Sequence, residues 1–332
     1  MIALNILLFV AGVILLVKGA DWLVSGASSL ARRVGMSELA IGLTIVAFGT
    51  SMPELTVNVT GALKGSTDIA IGNVIGSNLA NILLILGVSA LIAPIAIQTS
   101  TAWKEIPFAL LAATTLFIMA SDATFDPTTL SILGLGDGLI LISFFLIFLW
   151  YTFGMQAVEG EYQTNEKALS IPVALGILLI GILALVAGGK LTVDTAVMMA
   201  RSIGISEAFI GLTLVAVGTS LPELVTSVVA ALKNKSAIAV GNIVGSNIFN
   251  IFFVLGITSV IRPLPFAKAL ETDLLFTIFA TLMLFFVIHN GNIVRRIMLF
   301  WRQRKNHIIS RIDGASMLTA YILYIAFITW RG

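Results

Sequence analysis

Ten apolar runs of sixteen to twenty-six residues, parted by short polar stretches, follow one another along the chain. A helix needs about 20 such residues to cross roughly 30 Å of hydrocarbon. The runs cover about 2–23, 38–63, 69–92, 103–120 and 130–153, then 170–193, 207–232, 238–261, 273–288 and 315–330. Between the fifth and sixth lies a polar stretch, 154–169, carrying Glu159, Glu161, Glu166 and Lys167. The pattern predicts an all-α membrane protein of ten transmembrane helices, because only a helix or a closed barrel satisfies its own backbone in lipid.

Polar residues inside the runs are few, and they recur. Gly49-Thr50-Ser51-Met52-Pro53-Glu54 returns as Gly218-Thr219-Ser220-Leu221-Pro222-Glu223, 169 positions later. The same offset relates Gly72 to Gly241, Asn73 to Asn242, Ser77 to Ser246, Asn81 to Asn250 and Pro94 to Pro263. The chain therefore reads as a first repeat, 1–153, a short linker, 154–169, and a second repeat, 170–332. Five spans per repeat is an odd number, so the second copy enters the membrane from the opposite face. Inverted repeats of this kind hold their substrates near the midplane, where the copies meet.

Composition fixes the solvent. Of 332 residues, 58% are hydrophobic and 11% charged, and mean hydropathy is +1.05, against about 25% charged in a soluble domain. The absence of cysteine removes disulfides and thiolate metal sites, and two histidines, His289 and His307, do not make a zinc site or a proton relay. A cleavable leader is not expected, since the apolar N-terminus has no basic head and runs on to Lys18 and Asp21. The net charge of +2 matters less than its distribution. The loops after odd-numbered spans hold twelve Lys and Arg, among them Arg32, Arg33, Lys233, Lys235 and the run from Arg295 to Arg311; the other side holds five. The first side, with the linker 154–169, is thus expected in the cytoplasm of a cell (inner) membrane, and both termini outside.

A carboxylate in hydrocarbon costs on the order of 3 kcal/mol or more and marks an ion or proton path. Pro53 carries no N–H, so the Gly49 carbonyl loses its helical donor. Thr50 and Ser51 stand four and three residues before Glu54, within reach of one helix face. Asn73, Ser77 and Asn81 form an i, i+4, i+8 stripe, matched by Asn242, Ser246 and Asn250. Every one of these groups offers oxygen, which suits Ca2+, Mg2+ or Na+ and argues against Zn2+ or Cu+. Mg2+ sheds water reluctantly, so a dehydrated site favours Ca2+ or Na+.

The paired Gly-Thr-Ser-x-Pro-Glu words, each followed by Gly-Asn-x-x-Gly-Ser-Asn, resemble the two alpha-repeats of the cation/Ca2+ exchanger superfamily, specifically its prokaryotic sodium/calcium exchangers. The likeness covers about 38–94 and 207–263, and the ten-span layout extends it over nearly the whole chain. It implies an antiporter that works by alternating access, with Ca2+ between Glu54 and Glu223 and the Thr50 and Thr219 carbonyls. It further implies Na+ positions using Ala47, Ser51, Ser77 and Asn81 with Ala216, Ser220, Ser246 and Asn250. Asn73, Asn78, Asn242 and Asn247 are expected mostly to support these ligands. Many relatives carry Asp where this chain has Asn250, which puts stoichiometry and any K+ coupling in question. Ca2+/H+ exchange on the same scaffold and a cation channel are the alternatives. An enzyme is not expected, since no Ser/Lys or Ser/His pair falls on facing spans and no nucleotide motif is present. No cofactor, nucleic acid or protein partner is implied; Ca2+ and Na+ are cargo.

Other polar positions read as architecture. Glu38 and Glu207, each after a serine, suit helix N-termini. Lys18 with Asp21, and Lys190 with Asp194, are spaced as self-compensating pairs. Gly12, Gly19 and Gly26 recur every seven residues, and Gly181 and Gly188 repeat two of them. Small residues allow close helix approach, and in the resembled family the first spans of the two repeats form a pair that slides against the rest.

Overall fold

A computed structural model of the chain describes residues 2–65, 67–99, 101–126, 128–155, 168–202, 216–290 and 307–331. The first repeat contains α1 (Ile2–Val34), α2 (Glu38–Thr50), α3 (Met52–Lys64), α4 (Ala70–Ile92), α5 (Thr101–Ala120) and α6 (Leu135–Phe153). The second contains α7 (Ile171–Ser202), α8 (Ala216–Thr219), α9 (Leu221–Leu232), α10 (Ser236–Ile261), α11 (Lys268–Asn290) and α12 (Arg311–Arg331). Among the described residues, eight helices are long and apolar enough to span a membrane; the bent pair α2 and α3 makes a ninth. The apolar helix α9 belongs to the seventh expected span, whose first part, Glu207 included, lies outside the described residues. The same holds for most of the linker and of the basic run 295–311.

The first span of each repeat is longer than its apolar run. α1 has 33 residues and α7 has 32, about 50 Å at 1.5 Å per residue. The apolar signal fades at Leu23 and Val193, but the helix continues because its next turns are buried against neighbours: Ala27, Leu30 and Ala31 are covered, and so is Ala200. Tertiary packing there overrides the hydropathy boundary.

Two helices form the centre. In α10 and α4, 83% and 72% of the most apolar window is buried, against 28% in α1, α6 and α7 and 22% in α12. The peripheral helices turn Leu7, Ile14, Leu146, Leu183 and Leu323 outward, as lipid-facing surfaces do. Trp150 and Trp330, near helix ends, are the most exposed aromatics among the described residues, as suits the membrane interface.

Each end of the bundle carries a small antiparallel ribbon. β1 (Ile95–Ile97) pairs with β4 (His307–Ile309), and β2 (Ile132–Leu133) pairs with β3 (Leu264–Pro265). Each ribbon joins one strand from each repeat, so the repeats clasp one another at both ends with the chain direction inverted. Close helix contacts obey the same symmetry. A Cβ on Gly314 would lie 2.7 Å from the Gly87 carbonyl, and one on Gly138 2.7 Å from the Gly256 carbonyl. Gly87 and Gly256 keep the 169 offset, whereas Gly138 and Gly314 are 314 − 138 = 176 apart. The second repeat is therefore seven residues longer than the first between Leu264 and His307.

The glycines of the first spans serve a single interface. A Cβ on Gly12 would meet Thr192 Oγ1 at 2.5 Å, one on Gly19 the Leu185 nitrogen at 2.8 Å, and one on Gly181 the Leu23 nitrogen at 2.6 Å. They let α1 and α7 lie backbone to backbone along most of their length. The stripe fuses these two helices to each other; it does not line their contact with the rest of the bundle.

Candidate cation site

The site begins with a backbone break. Without a Pro53 N–H to continue the ladder, the chain bends 47° between α2 and α3. Ser51, at the bend, has φ −85° and ψ 9°; its N–H still reaches the Ala47 carbonyl at 3.0 Å, and its own carbonyl accepts from Leu55 N–H at 3.1 Å. Ser220 repeats this with φ −89°, ψ 6° and a bond from Leu224 N–H at 3.0 Å. Glu54 and Glu223 each sit in the first turn after a break, where the helix N-terminus stabilises a carboxylate.

The two breaks grip each other. Ser51 Oγ donates to Glu223 Oε1 at 2.9 Å, and Ser220 Oγ donates to Glu54 Oε1 at 3.4 Å. Ser77 Oγ, from α4, reaches the same Glu54 oxygen at 3.5 Å. Thr50 Oγ1 donates to Asn242 Oδ1 at 2.9 Å, while Asn242 Nδ2 bonds Ser227 Oγ at 3.0 Å and the Glu223 carbonyl at 3.3 Å. Both carboxylates are 1% exposed, and among the described residues neither has a basic partner.

What remains unsatisfied is the informative part. Glu54 Oε2, Glu223 Oε2, Ser246 Oγ, Asn81 Oδ1 and Asn250 Oδ1 are buried with no hydrogen-bond partner. A buried polar atom left unpaired costs about 1–3 kcal/mol, more when charged. Two carboxylate and two amide oxygens drawn from both repeats can only accept, the Ser246 hydroxyl can turn its lone pairs the same way, and a desolvated cation completes such a set. Among the described residues no group of three or more His, Cys, Asp or Glu exists, so hydroxyl and amide oxygens must supply the other ligands.

Most of the residues singled out by sequence meet here. Thr50, Ser51, Glu54, Ser77 and Asn81 are buried beside Ser220, Glu223, Ser246 and Asn250. Thr219 lies in α8, directly before the second break, and Ala216 opens that helix. Ala47 is buried and its carbonyl accepts from Ser51 N–H. Thr50 Oγ1 also lies 3.3 Å from it, but the single Thr50 hydroxyl proton goes to Asn242 at the shorter 2.9 Å, so the Ala47 carbonyl keeps a lone pair for a cation. Asn78, Asn242 and Asn247 stand behind the ligands, and Asn73 is half-buried with Nδ2 unpartnered.

Two features were not read from sequence. Asn58 is fully buried and donates from Nδ2 to the Glu54 carbonyl at 2.8 Å; its spacing of four from Glu54 was a usable signal. Asn81 and Asn250 each open a π-helical turn, Asn81–Ile85 and Asn250–Leu255, a distortion frequent at functional sites that no residue pattern announces.

Ion pairs join the repeats at one end, beside a cavity of about 520 Å³ lined by Ser25, Ser28, Lys233 and Lys235. Lys233 Nζ lies 2.6 Å from Asp21 Oδ1 and 2.9 Å from Ser25 Oγ on α1. Asp21 is thus paired with the other repeat and not with Lys18 as its spacing suggested. Glu38 Oε1 takes Lys235 at 2.7 Å and Ser28 at 2.6 Å, with Ser37 capping its helix. Lys190 and Asp194 do pair, at 2.9 Å on the surface of α7. Near them a cavity of about 660 Å³, lined mostly by apolar groups of α3, α7, α8 and α9, reaches Pro53, Thr219 and Pro222.

The sodium/calcium exchanger protein family model matches residues 4–154 and 173–330. The chain belongs to that family. The exchanger is 34% identical over 311 residues to the sodium/calcium exchanger MaX1 of Methanosarcina acetivorans, covering 83% of this chain and 88% of the relative. It is 37% identical over 244 residues to the inner membrane protein YrbG of Escherichia coli (strain K12), covering 70% and 72%. Its fold superposes on the solved sodium-calcium exchanger NCX_Mj with a TM-score of 0.81 at 32% identity, over 98% of this chain and 99% of that one. The inverted ten-helix architecture and the multi-pass membrane character rest on these likenesses together with the apolar helices.

Proposed function

We infer that this protein is a Na+/Ca2+ antiporter of the cell membrane whose cargo site is built on Glu54 and Glu223. The observation that carries the reading is the set of five unpartnered buried oxygens, contributed by both inverted repeats around two carboxylates. Ca2+ takes six to eight oxygens in loose geometry, and here two carboxylates, the Thr50 and Thr219 carbonyls and nearby hydroxyls supply them. Na+ uses the neutral oxygens of Ser77, Ser246, Asn81 and Asn250 with a share of the carboxylates. Coupling follows from this sharing: Ca2+ and a full Na+ load need the same carboxylates, so one must leave before the other settles. The ions are cargo, and no resident cofactor is assigned.

The end that carries Lys233 and Lys235 faces the cytoplasm on the positive-inside rule, with both termini outside, and the 660 Å³ cavity is the external approach. The transporter extrudes Ca2+, using the inward Na+ gradient. With neutral Asn at 81 and 250 the carboxylates give −2, balanced by one Ca2+ or two Na+. A third Na+ on neutral oxygens makes exchange electrogenic, the reading favoured here.

Purified protein in liposomes tests both levels. Na+-gradient-driven 45Ca2+ uptake that survives proton ionophores supports Na+ coupling; uptake that follows a pH gradient instead replaces it with Ca2+/H+ exchange. At three Na+ per Ca2+, a valinomycin-set potential of about 100 mV shifts the Ca2+ accumulation ratio roughly 50-fold. An unchanged ratio rejects the electrogenic stoichiometry and leaves two Na+ per Ca2+.

A further inference from the structure

An asparagine amide can meet a cation with its oxygen or with its NH2 group, and only the first binds. Nothing in the residue type decides which. Around the line where α4 and α10 cross, four asparagines settle it by hydrogen bonding. Asn78 Nδ2 donates to the Asn247 backbone carbonyl at 3.1 Å, and Asn247 Nδ2 donates to the Asn78 backbone carbonyl at 3.2 Å. A backbone carbonyl can only accept, so both amides must point their nitrogens that way. Their Oδ1 atoms then turn outward and accept from the next pair: Asn81 Nδ2 reaches Asn247 Oδ1 at 2.9 Å, and Asn250 Nδ2 reaches Asn78 Oδ1 at 3.0 Å. An amide oxygen also only accepts. Asn81 and Asn250 are therefore committed as donors on that side, leaving their own Oδ1 atoms buried and free. Each lies one helical turn beyond Ser77 or Ser246 on the same stripe.

We propose that Asn78 and Asn247 are positioning residues that set the polarity of the Asn81 and Asn250 amides, each repeat orienting the ligand of the other. The inference rests on the cation site proposed above and adds the source of its amide orientation. The direction of the network is anchored at two backbone carbonyls, so it persists whichever ion is bound. Outer-shell partners of this kind typically govern metal affinity by about 10- to 100-fold.

The test is a rescue. The purified protein is titrated with Ca2+ and separately with Na+, reading half-saturation from the ligand-induced rise in melting temperature and Km from liposome uptake. Asn247→Leu removes the acceptor for Asn81 and the donor to the Asn78 carbonyl, while the backbone carbonyl that orients Asn78 stays, and is expected to weaken half-saturation by about tenfold or more. Asn81→Asp in that background restores most of the loss, because a carboxylate presents oxygen in either orientation. Asn81→Asp alone sets a carboxylate against Asn247 Oδ1, so the gain in cation affinity that its charge brings is smaller in the parent than in the Asn247→Leu background. Asn78→Leu with Asn250→Asp repeats the experiment by symmetry, and carries it if the Asn247→Leu protein does not fold. Parent-like half-saturation in both Asn247→Leu and Asn78→Leu overturns the proposal, as does a loss that neither aspartate rescues. Glu54→Gln is the control: if it too binds like the parent, the site assignment beneath the proposal has failed; if it does not, only the positioning role has.

Discussion

The two half-sites are built from the same words and are held differently. Glu223 is gripped by Ser51 at 2.9 Å, and Asn242 behind it makes three hydrogen bonds, to Thr50, to Ser227 and to the Glu223 carbonyl. Among the described residues Glu54 is held by the longer contacts of Ser220 and Ser77, at 3.4 and 3.5 Å, and Asn73 Nδ2 behind it has no partner. One position accounts for much of this. Asn58 in the first repeat stands where Ser227 stands in the second. The Asn58 amide is long enough to reach back one turn and satisfy the Glu54 carbonyl at 2.8 Å, so Asn73 is not needed there. In the second repeat Asn242 spans the gap between Ser227 and the Glu223 carbonyl. A duplication thus supplies two copies of a site, and the difference in side-chain length between Asn58 and Ser227 goes with a different hydrogen-bond pattern behind each carboxylate.

The largest expected effect is common to both halves. Glu54→Gln and Glu223→Gln should each abolish Na+-driven Ca2+ uptake while leaving the protein folded and inserted, because a desolvated divalent ion loses half its compensating charge. Near-normal uptake in either variant would sink the site assignment.

The comparison itself is tested by the residues behind the carboxylates. Asn242→Ala leaves Thr50, Ser227 and the Glu223 carbonyl short of a partner, a cost of about 1–3 kcal/mol per buried group. Asn73→Ala removes an amide that already lacks a partner for its nitrogen, and should be the milder change in thermal unfolding. Equal losses would mean that the second half-site is no more constrained than the first.

Hydroxyl contacts come next. Ser51→Ala deletes a 2.9 Å bond and Ser220→Ala one of 3.4 Å, so Ser51→Ala should raise the Ca2+ Km more, by up to about tenfold at 1.4 kcal/mol. Ser77→Ala should resemble Ser220→Ala. The reverse ranking in uptake assays would show that the shorter contact is not the stronger one in the working protein.

Smallest is Asn58→Ser, which gives the first repeat the residue of the second. Asn73 should then take over the Glu54 carbonyl, and the stability change should stay within about 1 kcal/mol. If the single variant proves strongly destabilising while Asn58→Ser with Asn73→Ala is no worse, Asn73 does not substitute for it.

Much of this was legible without coordinates. Apolar runs long enough to span lipid, a fixed offset of 169 and a carboxylate after Pro53 and Pro222 already imply inverted repeats meeting at paired glutamates, because hydrocarbon tolerates neither unpaired backbone nor idle charge. The oxygen-only chemistry of Thr50, Ser51, Ser77 and Asn81 with their mates followed from residue type alone.

Tertiary structure decided whatever depends on a partner far away in the chain. Spacing offered Lys18 to Asp21, but folding brings Lys233 to 2.6 Å across the repeat boundary, and the closer charge wins. The stripe of Gly12 and Gly19 announced close approach and the resemblance pointed to the other first span, but the register, Gly12 at Gly188 and Gly19 at Gly181 of α7, came from the fold. Above all, the letter N at 81 and 250 carries both a donor and an acceptor. Which of the two remains over for a cation is settled by Asn247 and Asn78, and in the end by two backbone carbonyls that can only accept.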